Sequence, residues 1–387
     1  MQIAPDAIEP LRHIGWPADA SAPDSIKHVP IKHDSIKHDA SGLDPLRELP
    51  DGRIARVSGQ HRSGYIVAIA PGIEFPVQSP SPWIRREFPP EQRAVVGDWV
   101  LLEPIADQIV QLLPRRSLLK RAAAGEHYKQ QLIAANIDHA LVVSGLDQDF
   151  NPRRIERYVL LVRGSGAEPV LVLTKADLVA DGAGGDIETA LAALADIRAQ
   201  GIAIHVVNAK DAASIAVLRP YLGPGHTVVL VGSSGAGKST LSNTLLGREK
   251  MKTAAVREAD ARGRHTTTHR ALIPLPQGGC LIDTPGMREL KPSGEEDLAE
   301  GGFEEIEALA AECRFRDCAH VGEPGCAVRA ALESGALDPA RYANYRKLSG
   351  EVSVAAQGLA AQLARRSEPR VAAKSVRKRV NHTDGGD

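Results

Sequence analysis

Nine consecutive residues, Gly232, Ser233, Ser234, Gly235, Ala236, Gly237, Lys238, Ser239 and Thr240, could hold a polyphosphate. The first eight match the pattern G-x-x-x-x-G-K-[ST] in full. Its glycines let backbone N–H groups approach phosphates closely, and a helix starting there adds partial positive charge. Lys238 would neutralise the β- and γ-phosphates, and the Ser239 hydroxyl would ligate Mg²⁺. The pattern needs a strand before it and a helix after it. The β-branched run Thr227-Val228-Val229-Leu230-Val231 meets the first need, and the apolar spacing of residues 239–246 meets the second.

Three further segments suit the rest of a nucleotide site. Asp283-Thr284-Pro285-Gly286 ends the apolar run 279–282. Alone it reads as a turn. Downstream of a phosphate loop, Asp283 suits a Mg²⁺-linked acid and the Gly286 N–H suits a γ-phosphate sensor. Thr174, Lys175, Ala176 and Asp177 follow the strand predicted over 169–173. The Asp177 carboxylate can accept from both guanine N1–H and N2–H₂, a donor pair that adenine lacks. The Lys175 stem can lie along the base, and Thr174 stands where Asn is usual. Asn208, with Ala209 and Lys210, follows another strand and occupies the place of a loop that reaches guanine O6 through its backbone.

Residues 262–269, Arg-Gly-Arg-His-Thr-Thr-Thr-His, read as a polar loop in the position of switch I. One of its threonines, with Thr267 as the candidate, would close on Mg²⁺ and the γ-phosphate. Ras-like enzymes orient the attacking water with a Gln after the sensing glycine. Here that residue is Met287, whose thioether cannot do so. His265 is the local substitute, since an imidazole of pKa about 6.5 is largely neutral at pH 7 and can accept a proton.

The order of these motifs is the specific signal. The guanine motif precedes the phosphate motif, whereas an ordinary small GTPase has them the other way round. The parts are complete but rotated, as in a circularly permuted GTPase. Such permutation is tolerable because domain termini often lie close together. Strands predicted over 137–143, 170–173, 202–207, 227–231, 271–275 and 279–283, several separated by helical stretches, give an α/β sheet with ligand motifs at strand ends. The last two strands read as a hairpin.

Two other regions flank this unit. Cys313, Cys318, His320 and Cys326 form a Cys₃His set in a short span, which suits one closed, structural Zn²⁺. Cys280 reads as a small core residue. Upstream, short strands over 52–57, 64–70, 83–88, 97–103 and 108–113 suit a small barrel such as an OB-fold, followed by the basic residues Arg115, Arg116, Lys120 and Arg121.

The permuted order, Gly97-Asp98-Trp99-Val100 in the barrel, Gly-Arg-His-Thr-Thr-Thr at 263–268, Asp-Thr-Pro-Gly-Met-Arg-Glu at 283–289 and the Cys₃His set together resemble the RsgA family of small ribosomal subunit biogenesis GTPases, also known as YjeQ or EngC. The resemblance covers about residues 51–366. It implies an N-terminal OB domain, a central permuted G domain and a C-terminal helical zinc-binding domain that dock together on the 30S subunit and its rRNA. It also implies late subunit maturation, GTP hydrolysis stimulated by 30S, and His265 as the catalytic residue beside Lys238 and Asp283.

Formal net charge is −1, with 47 Lys+Arg against 48 Asp+Glu, but the charges segregate. Residues 295–312 hold eight acids and no Lys or Arg, while residues 365–379 hold seven basic residues. That basic stretch suits contact with RNA phosphates. No apolar run approaches the ~18 residues of a membrane span. The expected domains are a disordered leader over 1–50 with three Ile-Lys-His repeats, an OB-fold barrel over 51–116, a permuted G domain over 117–292, a zinc-binding domain over 293–366 and a basic disordered tail over 367–387. The expected protein is a monomeric, cytoplasmic, Mg²⁺-dependent GTPase that binds GTP and GDP and acts on the 30S subunit. The alternative is a nucleotide-gated RNA-binding scaffold with negligible turnover.

Overall fold

The computed structural model describes residues 5–17, 53–61, 64–85, 88–103, 106–122, 130–180, 185–247, 270–284 and 290–367. Five short strands come first: β1 (Arg53–Gln60), β2 (Tyr65–Ala70), β3 (Ile73–Val77), β4 (Trp99–Leu102) and β5 (Ile109–Leu112). β1 lies antiparallel to β2 and β4, and these carry β3 and β5 on their far sides. A parallel bridge between Gln78 and Gln108 joins the β3 and β5 ends, so the strands close into a ring. Ala55, Val57, Val67, Val100, Leu102 and Ile109 fill it.

The ring departs from expectation at its third strand, which is β3 and not 83–88. Pro lacks an N–H to give a sheet but fits the first turn of a helix. Pro82 accordingly sits second in the helical turn Ser81–Ile84. Pro76 is tolerated in β3 because that strand pairs along its length with β2 alone.

A separate hairpin, β6 (Leu118–Ala122) and β7 (Gln130–Ala135), leads into the central sheet. That sheet contains β8 (His139–Gly145), β9 (Glu168–Thr174), β10 (Ile204–Val206), β11 (Thr227–Val231), β12 (Ala271–Pro274) and β13 (Cys280–Asp283). Its order is β10-β9-β8-β11-β13-β12, parallel except for β12, which forms the expected hairpin with β13. β8, β9 and β11 are apolar almost throughout because helices cover both faces. Alternation sorts their side chains. Val142, Leu171, Val229 and Val231 pack in the same core as Ile155 and Val159 of the Pro152–Arg163 helix. Leu141, Val143, Val172 and Val228 pack in the core of Leu241 and Leu245, from the Lys238–Leu246 helix. Beyond β12 the sheet continues, since Ala271 pairs with Gly59 of β1.

The C-terminal region is helical, with Glu304–Ala311, Ala327–Ser334 and Pro339–Ser367. Phe303, Ile306, Val328 and Leu348 share a core with Leu160 of the Pro152–Arg163 helix. The same helix supplies buried Glu156, which accepts from Arg341 Nη1 at 3.4 Å and from Asn344 Nδ2.

Residues 5–17 correct the expectation that the whole leader is disordered. The Pro5–Arg12 helix packs Leu11 into the core, and Ile14 and Trp16 after it are fully buried. Trp16 meets Trp99 edge-on at 4.7 Å. The burial of two large apolar side chains offsets the ordering cost of the segment. The three repeats and the tail beyond Ser367 lie outside the described residues.

Arg56 of β1 is the shared partner at this junction. Fully buried, it donates from Nε to Gly97 O at 3.1 Å, from Nη1 to Ile14 O at 2.5 Å and to Thr227 Oγ1 at 2.8 Å, and from Nη2 to Asn136 O at 3.0 Å. Its guanidinium also stacks 4.9 Å from the Trp99 ring centre. Arg56→Met removes the donors and strands these acceptors. The expected loss is about 3 kcal/mol of unfolding free energy, read as a lower urea midpoint at unchanged m-value.

Candidate functional site

The C-terminal ends of the parallel strands lie along one edge of the sheet. Chain direction across the sheet reverses between β8 and β11, since β8 to β10 run outward one way and β11 to β13 the other. Ligands of open α/β sheets bind in the crevice at such a switch point. The phosphate loop leaves β11 there. Gly232 has φ 146°, and a Cβ on it would run into the Val143 carbonyl of the neighbouring strand. Gly237, at φ 93°, caps the Lys238–Leu246 helix, and a Cβ there would crowd Thr174. Lys238 Nζ donates to Gly232 O at 2.8 Å and to Ser233 O. These two bonds hold the ammonium over the loop that would receive the phosphates. Ser239 and Thr240 occupy the first turn of the helix, while Ser234 and Gly235 form the exposed tip of the loop.

The guanine motif meets this loop directly. Thr174, at the end of β9, donates from Oγ1 to Ala236 O at 2.6 Å. The threonine that departs from the usual Asn therefore ties the two motifs together. Lys175 holds a left-handed φ of 64°, and Ala176 opens the short Ala176–Ala180 helix that carries Asp177. Asp177 accepts from Lys210 at 2.9 Å, which holds its carboxyl below the ordinary value. Asn208 forms a local turn, its Oδ1 accepting from Lys210 N at 3.0 Å and its N–H donating to Ser214 Oγ at 2.8 Å. Thr244 Oγ1 donates to Ala209 O at 2.7 Å, so the helix behind the phosphate loop also steadies this turn. Asp283 ends β13 beside β11 on the same edge. His265, Thr267, Gly286 and Met287 lie outside the described residues.

Sequence reasoning missed the loop after β8. Asp147 accepts from Lys175 Nζ at 2.5 Å, and Asp149 accepts from Ser233 Oγ at 2.6 and 2.5 Å. Burial works against charge on Asp147, yet Lys175 and the Asp149 N–H hold its carboxyl below the ordinary value. The available signal was an Asp-x-Asp at the end of a buried strand, just before the Asn151-Pro152 helix start.

In the C-terminal region His320 Nδ1 lies 3.5 Å from Cys313 Sγ and 3.4 Å from Cys326 Sγ, and those two sulfurs are 3.9 Å apart. With Cys318, all four ligand atoms fall within 4.8 Å of one another. Tetrahedral zinc with bonds of 2.0–2.3 Å requires separations of about 3.6–3.8 Å, so the set fits one zinc ion. His320 turns the chain at φ 59°, and Glu323 braces the loop by accepting from the backbone N–H groups of Ala319, Val321 and Gly322, each at 3.0 Å. These bonds pull the Glu323 carboxyl down to about 2.

The basic residues after the ring each have a partner. Arg115 pairs with buried Asp98 at 2.7 Å, Arg116 with Asp138 at 3.0 Å and Lys120 with Glu295 at 2.5 Å, while Arg121 donates to Gln131 at 3.0 Å. No described helix is long and apolar enough to cross a membrane.

A phosphate loop, a guanine motif upstream of it and a sheet that joins them at its switch point define a circularly permuted P-loop GTPase. A sequence profile described as RsgA GTPase matches residues 112–292. The small ribosomal subunit biogenesis GTPase RsgA of Xanthomonas campestris pv. campestris (strain B100) is 65% identical over 315 residues, covering 81% of this chain and 85% of that protein. Its counterpart in Xanthomonas oryzae pv. oryzae (strain PXO99A) is 64% identical over the same shares. The chain belongs to the RsgA family. The crystal structure of YjeQ from Thermotoga maritima has 25% identity and a TM-score of 0.54, covering 78% of this chain and 98% of that one. YloQ, a circularly permuted GTPase, has the same fold at 24% identity and a TM-score of 0.53, with 79% and 96% covered.

Replacing Cys318 and Cys326 together with Ser should release about one zinc per chain, read by metal analysis. Guanine-nucleotide binding should persist, because the zinc ligands and the nucleotide motifs are carried by different elements. Full zinc retention would rule the site out.

Proposed function

We propose that this GTPase hydrolyses GTP to GDP and phosphate at the β8–β11 crevice, is stimulated by the 30S subunit and acts in late small-subunit maturation through rRNA contact. The observation that carries the reading is the Thr174–Ala236 bond, which joins a guanine motif to a phosphate loop at the switch point of a permuted sheet. The names of the relatives support the ribosomal role.

In this reading the loop N–H groups of residues 232–238 wrap the phosphates, with Lys238 countering their charge. Ser239 and Asp283 would hold Mg²⁺, with Thr267 closing the site and Gly286 sensing the γ-phosphate. When bound, Mg²⁺ would supply positive charge to offset what develops on the phosphate oxygens. Asp177 reads the guanine edge, and its partner Lys210 shifts aside or shares it. Met287 cannot orient water, so His265 does so. The N-terminal ring acts as an OB-like domain over 51–116, its parallel closure between β3 and β5 supporting that reading. Residues 117–292 form the G domain, and residues 293–366 a domain with one structural zinc. The basic stretch from Arg365 contacts rRNA. The protein works as a cytoplasmic monomer.

Multiple-turnover phosphate release, with and without 30S subunits, tests the whole proposal. Background release under both conditions would leave the nucleotide-gated RNA-binding scaffold instead. Asp177→Asn turns one acceptor into a donor facing guanine donors, so GTP affinity should fall by about 2–4 kcal/mol. Xanthosine triphosphate should regain affinity, because xanthine offers an acceptor there. Unchanged GTP affinity would refute the role of Asp177. His265→Ala should leave GTP affinity nearly intact and lower 30S-stimulated turnover roughly 10²-fold. Wild-type turnover by that variant at saturating 30S would refute the catalytic role.

A further inference from the structure

Two contacts to the nucleotide site come from a loop that belongs to no GTPase motif. Residues 145–151 leave β8 at the crevice, opposite the phosphate loop. Both Asp149 oxygens accept from Ser233 Oγ, a residue 84 positions away in sequence. Ser233 is 9% exposed, so its hydroxyl has few other partners to choose. Its carbonyl is one of the two that accept from Lys238. Asp149 thus fixes the residue that in turn helps to fix the phosphate-binding lysine.

A carboxylate in that position also carries a cost. Its charge lies beside a loop built to receive a polyphosphate, and like charges at short range repel by amounts that grow as water is excluded. Arg154 answers this charge. Its Nη2 donates to Asp149 Oδ1 at 2.9 Å and to the Asp149 carbonyl. Asn151 caps the Pro152–Arg163 helix by accepting from Arg154 N at 3.1 Å, with Pro152 at its first position, so the backbone of Arg154 is held in the first helical turn. Asp147 and Lys175 repeat the arrangement on the guanine side, a carboxylate that orients a motif residue and is neutralised within the same contact.

We propose that Asp149 and Arg154 are a positioning pair for the phosphate loop: Asp149 orients Ser233, and Arg154 cancels the repulsion between that carboxylate and the nucleotide phosphates. The inference rests on the nucleotide-site reading given above. Neither residue touches a reacting atom. The pair leaves a signature that simple support of the fold does not. Removing Arg154 alone exposes the phosphates to an uncompensated charge, whereas removing both charges does not. The second loss should repair the first.

The test uses the full chain and measures Kd for GDP and for a non-hydrolysable GTP analogue. Arg154→Ala should weaken both about tenfold, equal to about 1.4 kcal/mol, and more strongly at low salt. Adding Asp149→Asn should restore most of that loss, because the amide still accepts from Ser233. Turnover at saturating GTP should stay near wild type while KM rises, the pattern of lost uniform binding. Ser233→Ala and Asp149→Ala should be strongly non-additive, as expected of contacting partners. Arg154→Gln keeps the side-chain stem and serves if the alanine variant folds poorly. Wild-type affinity in both Arg154 variants would overturn the proposal, and so would a double variant as weak as the sum of its singles. If the wild-type chain itself bound neither nucleotide, the nucleotide-site reading would fall first and take this inference with it.

Discussion

The placement of the N-terminal ring, the leader segment and the central sheet depends on one buried cation. A guanidinium carries donors and no acceptor, and stays charged under all ordinary conditions. Burying it is tolerable only where acceptors surround it. For Arg56 those acceptors come from distant parts of the chain: Gly97 in the ring, Ile14 in the leader, Asn136 after the β6–β7 hairpin and Thr227 at the start of β11. No one of these segments could move without stranding a donor. Neighbouring polar groups reinforce the arrangement. Asp98 binds Arg115 through both oxygens, at 2.8 and 2.7 Å, and Asp138 accepts from Thr227 N at 2.8 Å. The strand that carries the phosphate loop is thereby anchored at the end remote from its chemistry.

The sequence made the site legible wherever the chemistry depends on local pattern. Gly232 to Ser239 needs a strand, a turn and a helix in immediate succession, and such patterns are written in adjacent residues. The same holds for the short Cys₃His span, whose ligand atoms do converge. What escaped depends on partners far apart in the chain. Asp149 gains its meaning only from Ser233, and the basic residues after the ring meet Asp98, Asp138 and Glu295 only in the fold. The third ring strand was misplaced for a different reason. Trp83 and Phe88 look like strand residues by propensity, but Pro80 and Pro82 override propensity through backbone geometry. Trp16 was read as part of an unstructured leader because a lone aromatic in a polar, Pro-containing stretch shows no periodicity. Its burial is a tertiary event.

The Pro152–Arg163 helix joins regions that the sequence keeps apart. One side covers the central sheet through Ile155 and Val159, and Leu160 enters the core of the C-terminal helices. Its first turn reaches the phosphate loop through Arg154 and Asp149. Its buried Glu156 meets Arg341 and Asn344, while Arg157 pairs with Glu351 further along the Pro339–Ser367 helix. Chain connectivity suggests that the C-terminal region follows the segment after Asp283. The packing adds a second mechanical link that starts from the opposite flank of the phosphate loop.

The pairing of Ala271 with Gly59 carries the central sheet on into the ring. Separate domains joined by a linker can rotate freely about it, but hydrogen-bonded strands resist bending across their ladder. β12 shares one side with β13, which ends in Asp283, and the other with β1, which holds Arg56. One strand, β12, therefore separates the outer wall of the ring from the strand that ends in Asp283. Shifting the ring against the sheet would have to break that pairing, so two regions that the chain order separates share one hydrogen-bonded surface that ends at the phosphate motifs.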